Sequence, residues 1–337
     1  MPELRIDIDA IGRNTESVAA LLRSRGLDLV AVTKGCLGEP RVASAMLAGG
    51  AVAIADTRDR NLHRLRSALP NVELHRIHLP SFSEPFEPGD VTYVSNREGA
   101  EAVASLGQGH GSGGRKVMIH AETGDEREGV PMDLLLELAT EIAADPRLRL
   151  LGVATNYACF KGKPEGIRRS VEAIARAAAE LRQAGLGLER VSGGNSSLLW
   201  LLAEGHALPA EVTEARCGEA LLLGRDALYY QPLPGCRTDA CLLRAEVVEE
   251  YTRPAARGPA RRLVLGIGRQ DLGTGAVKFA EPGLSEVGRS ADYTVVEAGE
   301  ACPRTPIGTM IDMIPSYEAL VAVWTSPYVE LALVNRL

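Results

Sequence analysis

The chain has 337 residues, 45% of them hydrophobic, and carries a formal net charge of -7. That length exceeds one ordinary domain, and a (β/α)8 barrel of roughly 250 residues with a smaller companion accounts for it. An acidic balance with no basic cluster argues against a nucleic-acid partner, no apolar run reaches the roughly 18 residues of a membrane span, and Met1-Pro2-Glu3-Leu4-Arg5 has no signal-peptide pattern, so a cytoplasmic protein is expected. Six cysteines, Cys36, Cys159, Cys217, Cys236, Cys241 and Cys302, show no metal-ligand spacing, and free thiols with no metal site are expected.

An opening helix is predicted over Ile11 to Arg23. The short apolar run Leu29-Val30-Ala31-Val32-Thr33 then reads as a buried parallel strand, ended by Lys34-Gly35 and followed by a helix from Pro40 to Ala48. A second strand, Ala51 to Ala55, leads through Asp56-Thr57 to a helix, Arg58 to Leu69. Strand three, Glu73 to Leu79, is followed by Pro-rich Pro80 to Gly89 where a helix would stand, and strand four, Val91 to Val94, by a helix from Arg97 to Leu106. After a glycine-rich loop, Gln108 to Gly114, strand five spans Lys116 to Ala121 and ends in Glu122 to Gly129 before the helical Met132 to Ala144. Strand six, Leu150 to Ala154, ends in Thr155-Asn156-Tyr157, and a long helix covers Glu165 to Ala184. Strand seven, Leu188 to Val191, ends in Ser192-Gly193-Gly194-Asn195-Ser196-Ser197 ahead of helical Leu198 to Ala203, and strand eight, Val212 to Ala215, ends in Arg216-Cys217-Gly218-Glu219. Eight strands with crossover-length links are what a closed parallel barrel requires, and the polar residues gather after the strands, where barrels place their sites. From Leu242 the pattern becomes alternating, as in Ala245 to Glu249, Arg262 to Gly266, Tyr293 to Glu297 and Ala319 to Trp324. This predicts an all-β second domain. The expected division is 9–233 for the barrel and 234–337 for the β domain, with residues 1–8 able to join the latter as a strand.

Lys34 stands alone at the end of the first barrel strand. There it is either a Schiff-base lysine, made nucleophilic by partial desolvation, or a lysine reaching out to solvent. The run Ser192 to Ser197 suits a phosphate, because glycines let amides approach and a helix follows, although a plain capped turn has the same composition. Arg216 and Glu219 form either a ligand-facing pair or a structural one. Arg127 offers a two-pronged guanidinium for a carboxylate, or belongs to a solvated charge run. Asn156 either faces a ring or is a satisfied strand-end amide. Together a strand-one lysine, a strand-seven phosphate loop and a strand-eight arginine suggest pyridoxal 5'-phosphate.

The ordered set Val32 to Gly35, Ala55 to Arg58, Gly124 to Gly129, Gly152 to Asn156, Ser192 to Ser197, Arg216 to Ala220, Gly268 to Asp271 and Thr325 to Tyr328 resembles the alanine racemase family of fold-type III PLP enzymes, in its ornithine racemase-like branch. The resemblance implies an amino-acid racemase, with an ornithine-like or other polar substrate. It makes Lys34 the cofactor lysine and one catalytic base, and gives the phosphate to Ser192, Gly194, Asn195, Ser196, Ser197 and Tyr317. Arg216, with Glu219 beside it, would face the pyridine nitrogen. Asn156 would lie against the ring, Arg127 would touch the cofactor's phenolic oxygen or the substrate carboxylate, and Tyr157 would meet the substrate. It also implies a head-to-tail homodimer. The family's second-base tyrosine has no match here; Asp292 is favoured in its stead, with Cys159 and Cys302 as alternatives. A PLP decarboxylase, lyase or other isomerase, or a non-catalytic PLP carrier, are the competing readings.

Overall fold

The computed structural model describes residues 1–107, 114–158, 162–254 and 259–336. The chain divides into two compact units: Ile11–Lys34 with Gly38–Cys236, and Met1–Ala10 with Gly35–Leu37 and Arg237–Leu337. Strand β1 (Glu3–Asp7) belongs to the second of these.

The first unit is a closed parallel barrel of eight strands: β2 (Asp28–Val32), β3 (Ala53–Asp56), β4 (Leu74–Arg76), β5 (Val91–Val94), β6 (Arg115–His120), β7 (Leu148–Ala154), β8 (Arg190–Ser192) and β9 (Glu214–Cys217). Strands covered on both faces read as continuous apolar runs, and β2 does so, with Leu29 to Val32 buried. Each such Leu or Val contributes about 1.5–3 kcal/mol on leaving water. The ring closes where β9 pairs with β2, Ala31 opposite Cys217. Helices follow the strands: Pro40–Ala48, Asp59–Ala68, Arg97–Ala104, Leu135–Ala144, Pro164–Gln183, Leu198–Ala203 and Glu219–Leu223. Pro164–Gln183 buries Ile167, Val171, Ile174, Ala178 and Leu181, the three-to-four spacing of a one-sided helix. Asn96 starts Arg97–Ala104 by accepting from the Gly99 amide at 2.7 Å. Between β4 and β5, where prolines crowd the link, no helix forms among the described residues.

The barrel's floor is polar. Glu73, just before β4, accepts from His75 Nε2 at 2.9 Å, from Arg190 at 2.6 Å and from Lys116 at 3.2 Å. The His75 hydrogen bond, then Arg190, holds the Glu73 carboxyl well below the usual carboxylate range against the opposing effect of burial. Above it, Val91, Tyr93, Met118, Leu151 and Ala154 form an apolar layer, and Val30, Val32, Ala53 and Ala55 another.

The second unit is built on β10 (Cys241–Arg253), a long strand with two sets of partners. Its first half pairs with β1 and with β15 (Met310–Pro315), and its second half with β11 (Ala260–Leu265). β12 (Val277–Phe279) adds to β15, while β14 (Thr294–Ala298) and β13 (Leu284–Arg289) extend from β11. β16 (Glu330–Val334) lies parallel to β1.

Several expected bounds differ. Strand three is only Leu74–Arg76, Met132 to Leu134 precede their helix, and the last barrel strand is Glu214–Cys217, which puts Arg216 inside the strand instead of after it. Ala319 to Trp324, read as a strand, is part of the helix Tyr317–Thr325. Alternation in Leu-Val-Ala-Val-Trp is ambiguous over so short a run, and the deciding signal is Ser316, whose hydroxyl accepts from the Ala319 amide at 3.2 Å and caps the helix.

Candidate active site

Every described candidate of the barrel unit lies on the carboxyl face. Lys34 follows β2 and Thr33, at the head of a single 3-10 turn, and is partly buried. Its position is fixed from below. Thr33 donates through its hydroxyl to Asp56 Oδ2 at 2.7 Å and through its amide to the Ala55 carbonyl at 2.9 Å. Asp56 Oδ1 accepts from the Thr57 and Arg58 amides and from Asn61 Nδ2. A fully buried carboxylate bound this completely anchors the residue before the lysine. The Lys34 amine itself has no hydrogen-bond or ion-pair partner among the described residues.

Arg216 stands across the closing seam, on β9, with its guanidinium buried. It donates to the Ser192 hydroxyl and to the Thr155 carbonyl, the latter at 2.6 Å, and lies 5.2 Å over the Tyr93 ring. Gly218, two residues on, lets β9 come close to β2: a Cβ there would stand 2.7 Å from the Val32 carbonyl oxygen. Glu219 is partly buried and opens the helix Glu219–Leu223. Burial pushes the Cys217 thiol up to about 12, so it is inert.

The loop after β8 gathers donors. Ser196 Oγ accepts from the amides of both Gly218 and Ala220, each at 3.3 Å. Gly194 has φ +136°, and a Cβ there would meet nothing within 4 Å. Long bonds from two amides to one hydroxyl, beside open space, leave donors for a stronger acceptor. Asn195 bridges to the next loop: its Nδ2 donates to Asn156 Oδ1 and to the Tyr157 carbonyl, both at 2.9 Å, and its Oδ1 accepts from the Ser197 amide at 2.8 Å. The Ser197 hydroxyl turns to the Tyr157 carbonyl at 3.2 Å. The Tyr157 ring is seated between glycines, since a Cβ on Gly166 would stand 1.9 Å from its hydroxyl and one on Gly124 3.5 Å from its ring.

In the loop after β6, Arg127 makes a two-pronged ion pair with Glu128, and its Nε is 3.9 Å from Asp125 Oδ2. Burial opposes ionisation of Glu128, but the Arg127 hydrogen bond and the nearby His120 and Lys34 bring its carboxyl below the usual range. The reading of Arg127 as part of a solvated charge run thus holds only for its own half-exposed side chain, because Glu128 is inside the site.

Not every candidate is drawn together. Tyr317, Asp292 and Cys302 lie in the second unit. Tyr317 begins a helix, Asp292 is exposed in the turn between β13 and β14, and Cys302 is a buried thiol 3.7 Å from the Thr305 hydroxyl. Cys159 lies outside the described residues. Asp125, Glu128, Tyr93 and His120 were missed by sequence reasoning. His120 had a usable signal, being a lone imidazole that closes an apolar run, as Lys34 is a lone amine. Its pKa is pushed down to about 3 by burial first and then by Arg216, so the ring is neutral. Among the described residues no cluster of His, Cys, Asp or Glu could hold a metal ion, and no helix is long and apolar enough to cross a membrane.

A closed parallel barrel with an anchored amine after its first strand, a buried arginine on its last and a donor-rich loop between them defines a barrel protein with a site on its carboxyl face. Residues 6–226 match the family model described as alanine racemase, N-terminal domain, and the chain belongs to that family. It is 27% identical to the lysine racemase of Thermotoga maritima, covering 98% of this chain and 97% of that one. It is 26% identical to the ornithine racemase of Acetoanaerobium sticklandii, covering 98% of each. The fold also matches the alanine racemase of Bartonella henselae, solved with covalently bound pyridoxal phosphate, at a TM-score of 0.72 and 16% identity over 99% of each chain.

Proposed function

We propose that the protein is a PLP-dependent racemase of a free amino acid, with a basic or polar substrate such as ornithine or lysine favoured by its relatives. It works as a cytoplasmic head-to-tail homodimer. The observation that carries this reading is Lys34, an amine held in place through Thr33 and Asp56 yet bonded to nothing among the described residues, beside the seam where Arg216 is buried. The residues fit the cofactor. The Gly218 and Ala220 amides and the open space at Gly194 suit its phosphate, with Ser192, Asn195, Ser196 and Ser197 completing that end and Asn156 against the ring.

When bound, pyridoxal 5'-phosphate draws electron density from the α-carbon of an attached amino acid and makes its α-proton labile. Lys34 Nζ takes or returns that proton on one face. Arg216 is always a donor, so a ring nitrogen held against it would stay unprotonated, which would limit how far charge is withdrawn and disfavour transamination and elimination. Glu219, next to it, helps hold that end. Arg127 receives the substrate carboxylate in exchange for part of its pairing with Glu128, and Tyr157 walls the pocket. The opposite face needs a second acid–base group within hydrogen-bond reach, and Asp292 of the partner subunit is the favoured donor, with Cys159 the alternative.

The test is α-proton exchange in deuterated water, followed by mass, over a panel of L- and D-amino acids. The parent should label and invert both enantiomers of its substrate, whereas Asp292→Asn should label only one and invert neither. Racemisation at the parental rate excludes Asp292. Exchange of one enantiomer by the parent without inversion replaces the racemase reading with the lyase or decarboxylase one.

A further inference from the structure

Asp125 is the least expected residue of the barrel mouth. Its carboxylate is nearly sequestered, 4% exposed, yet among the described residues only one oxygen is used: Oδ2 accepts from Asn156 Nδ2 at 3.0 Å and lies 3.9 Å from Arg127 Nε, while Oδ1 is buried with no hydrogen-bond partner among them. Asp56, which only anchors the backbone before Lys34, has both oxygens bonded. The local backbone is also bent to bring it there. Glu126, between Asp125 and Arg127, has φ +53°, a left-handed conformation unusual for a residue with a side chain, flanked by Gly124 at +121° and Gly129 at +131°. A left-handed residue at the centre lets the side chains at either end come together on one side.

The bonds on the far side have a fixed direction. The Ser197 amide can only donate, so Asn195 must present Oδ1 to it; Asn195 Nδ2 then donates to Asn156 Oδ1, and Asn156 Nδ2 donates to Asp125. The chain of donors therefore ends on an acceptor, and a carboxylate is the group that accepts there while also attracting a guanidinium. Glu128 holds Arg127 from the other side.

We propose that Asp125 is the positioning residue of this site, joining the loop after β8 to Arg127, so that the groups for the cofactor's phosphate end and for the substrate carboxylate are set by one side chain. This rests on the proposed racemase reading for the roles of those two groups. Glu128 alone would let the guanidinium swing, because a pair between adjacent residues fixes nothing beyond its own loop; the Asp125 link ties it to β7 and β8.

Two variants separate the links. Asp125→Asn keeps an oxygen for Asn156 but loses the charge facing Arg127, and Asp125→Ala loses both. Binding of a simple carboxylate probe, propionate, is read from the cofactor's absorbance without turnover. With Asp125→Asn it should weaken about tenfold, with a matching rise in KM for the amino acid and a smaller fall in kcat, at an unchanged melting temperature. Asp125→Ala should in addition release cofactor on dialysis several times faster than the parent. Asp125→Glu, which restores the charge, should recover part of the propionate affinity. Parental propionate affinity in Asp125→Asn overturns the proposal, and so does a joint fall of kcat and melting temperature at constant KM, the mark of a merely structural role. Because propionate binding needs no racemisation, failure of the racemase reading shows in the exchange assay and leaves this measurement intact.

Discussion

The barrel has two polar ends with opposite habits. At its floor Glu73 is shared by His75, Lys116 and Arg190. At its mouth Lys34 bonds to nothing among the described residues, Asp125 uses one oxygen of two, and the Gly218 and Ala220 amides share one distant hydroxyl. Around Glu73 opposite charges are spent on one another, whereas at the mouth an amine and a carboxylate oxygen have no hydrogen-bond partner among the described residues. A polar group that is anchored but not spent is a better mark of a working site than a polar group that is merely buried.

The comparison breaks most sharply at its two lysines. Lys34→Ala should lower racemisation by about a thousandfold or more while leaving stability within roughly 0.5 kcal/mol, since no bond of the fold is lost. Borohydride reduction of the holoenzyme followed by peptide mapping should place the cofactor on Lys34. Recovery of the adduct on Lys116, the floor lysine, would reverse the assignment of the two ends.

At the floor the balance should invert. Glu73→Gln leaves Arg190 and Lys116 without their shared carboxylate and should cost about 3 kcal/mol in urea unfolding, with KM of the folded enzyme unchanged. The sign with pH follows from the lowered carboxyl. Its contribution is complete above the ordinary glutamate range and is lost as pH falls toward the native value, so the variant should lose this part of the acid sensitivity. A changed KM with unchanged stability would mean that the floor is part of the site.

His120 sharpens the contrast by a smaller amount. Burial and Arg216 push its pKa down to about 3 from the ordinary histidine value of about 6.5, so between these limits the unfolded chain binds more protons and stability rises with pH. His120→Asn should flatten that limb by up to about 1.4 kcal/mol per pH unit, as read by unfolding midpoints across the window. A parental slope in the variant would show that another group sets it.

Much of this was legible in the sequence because it is local. An apolar run ended by one amine, glycines beside serines, and strands at regular intervals each write their structure within a dozen residues. Arg127 and Glu128 were visible as a charge run, but whether they pair depends on side-chain direction, and the string of letters does not carry it. The Asn195–Asn156–Asp125 relay was hidden for a different reason: its members come from loops after three strands and meet only when the ring is closed. The helix Tyr317–Thr325 was misread because two residues of alternation suit both periods, and only the cap at Ser316 distinguishes them.

The pairing of β2 with β9 has a consequence for biosynthesis. The strand that leads to Lys34 is among the first parts of the barrel to leave the ribosome, and the strand that carries Arg216 is the last, yet the two pair along a single seam. During nearly two hundred residues of translation the first strand therefore waits without one of its two barrel neighbours, and the ring closes only when the last strand has been made.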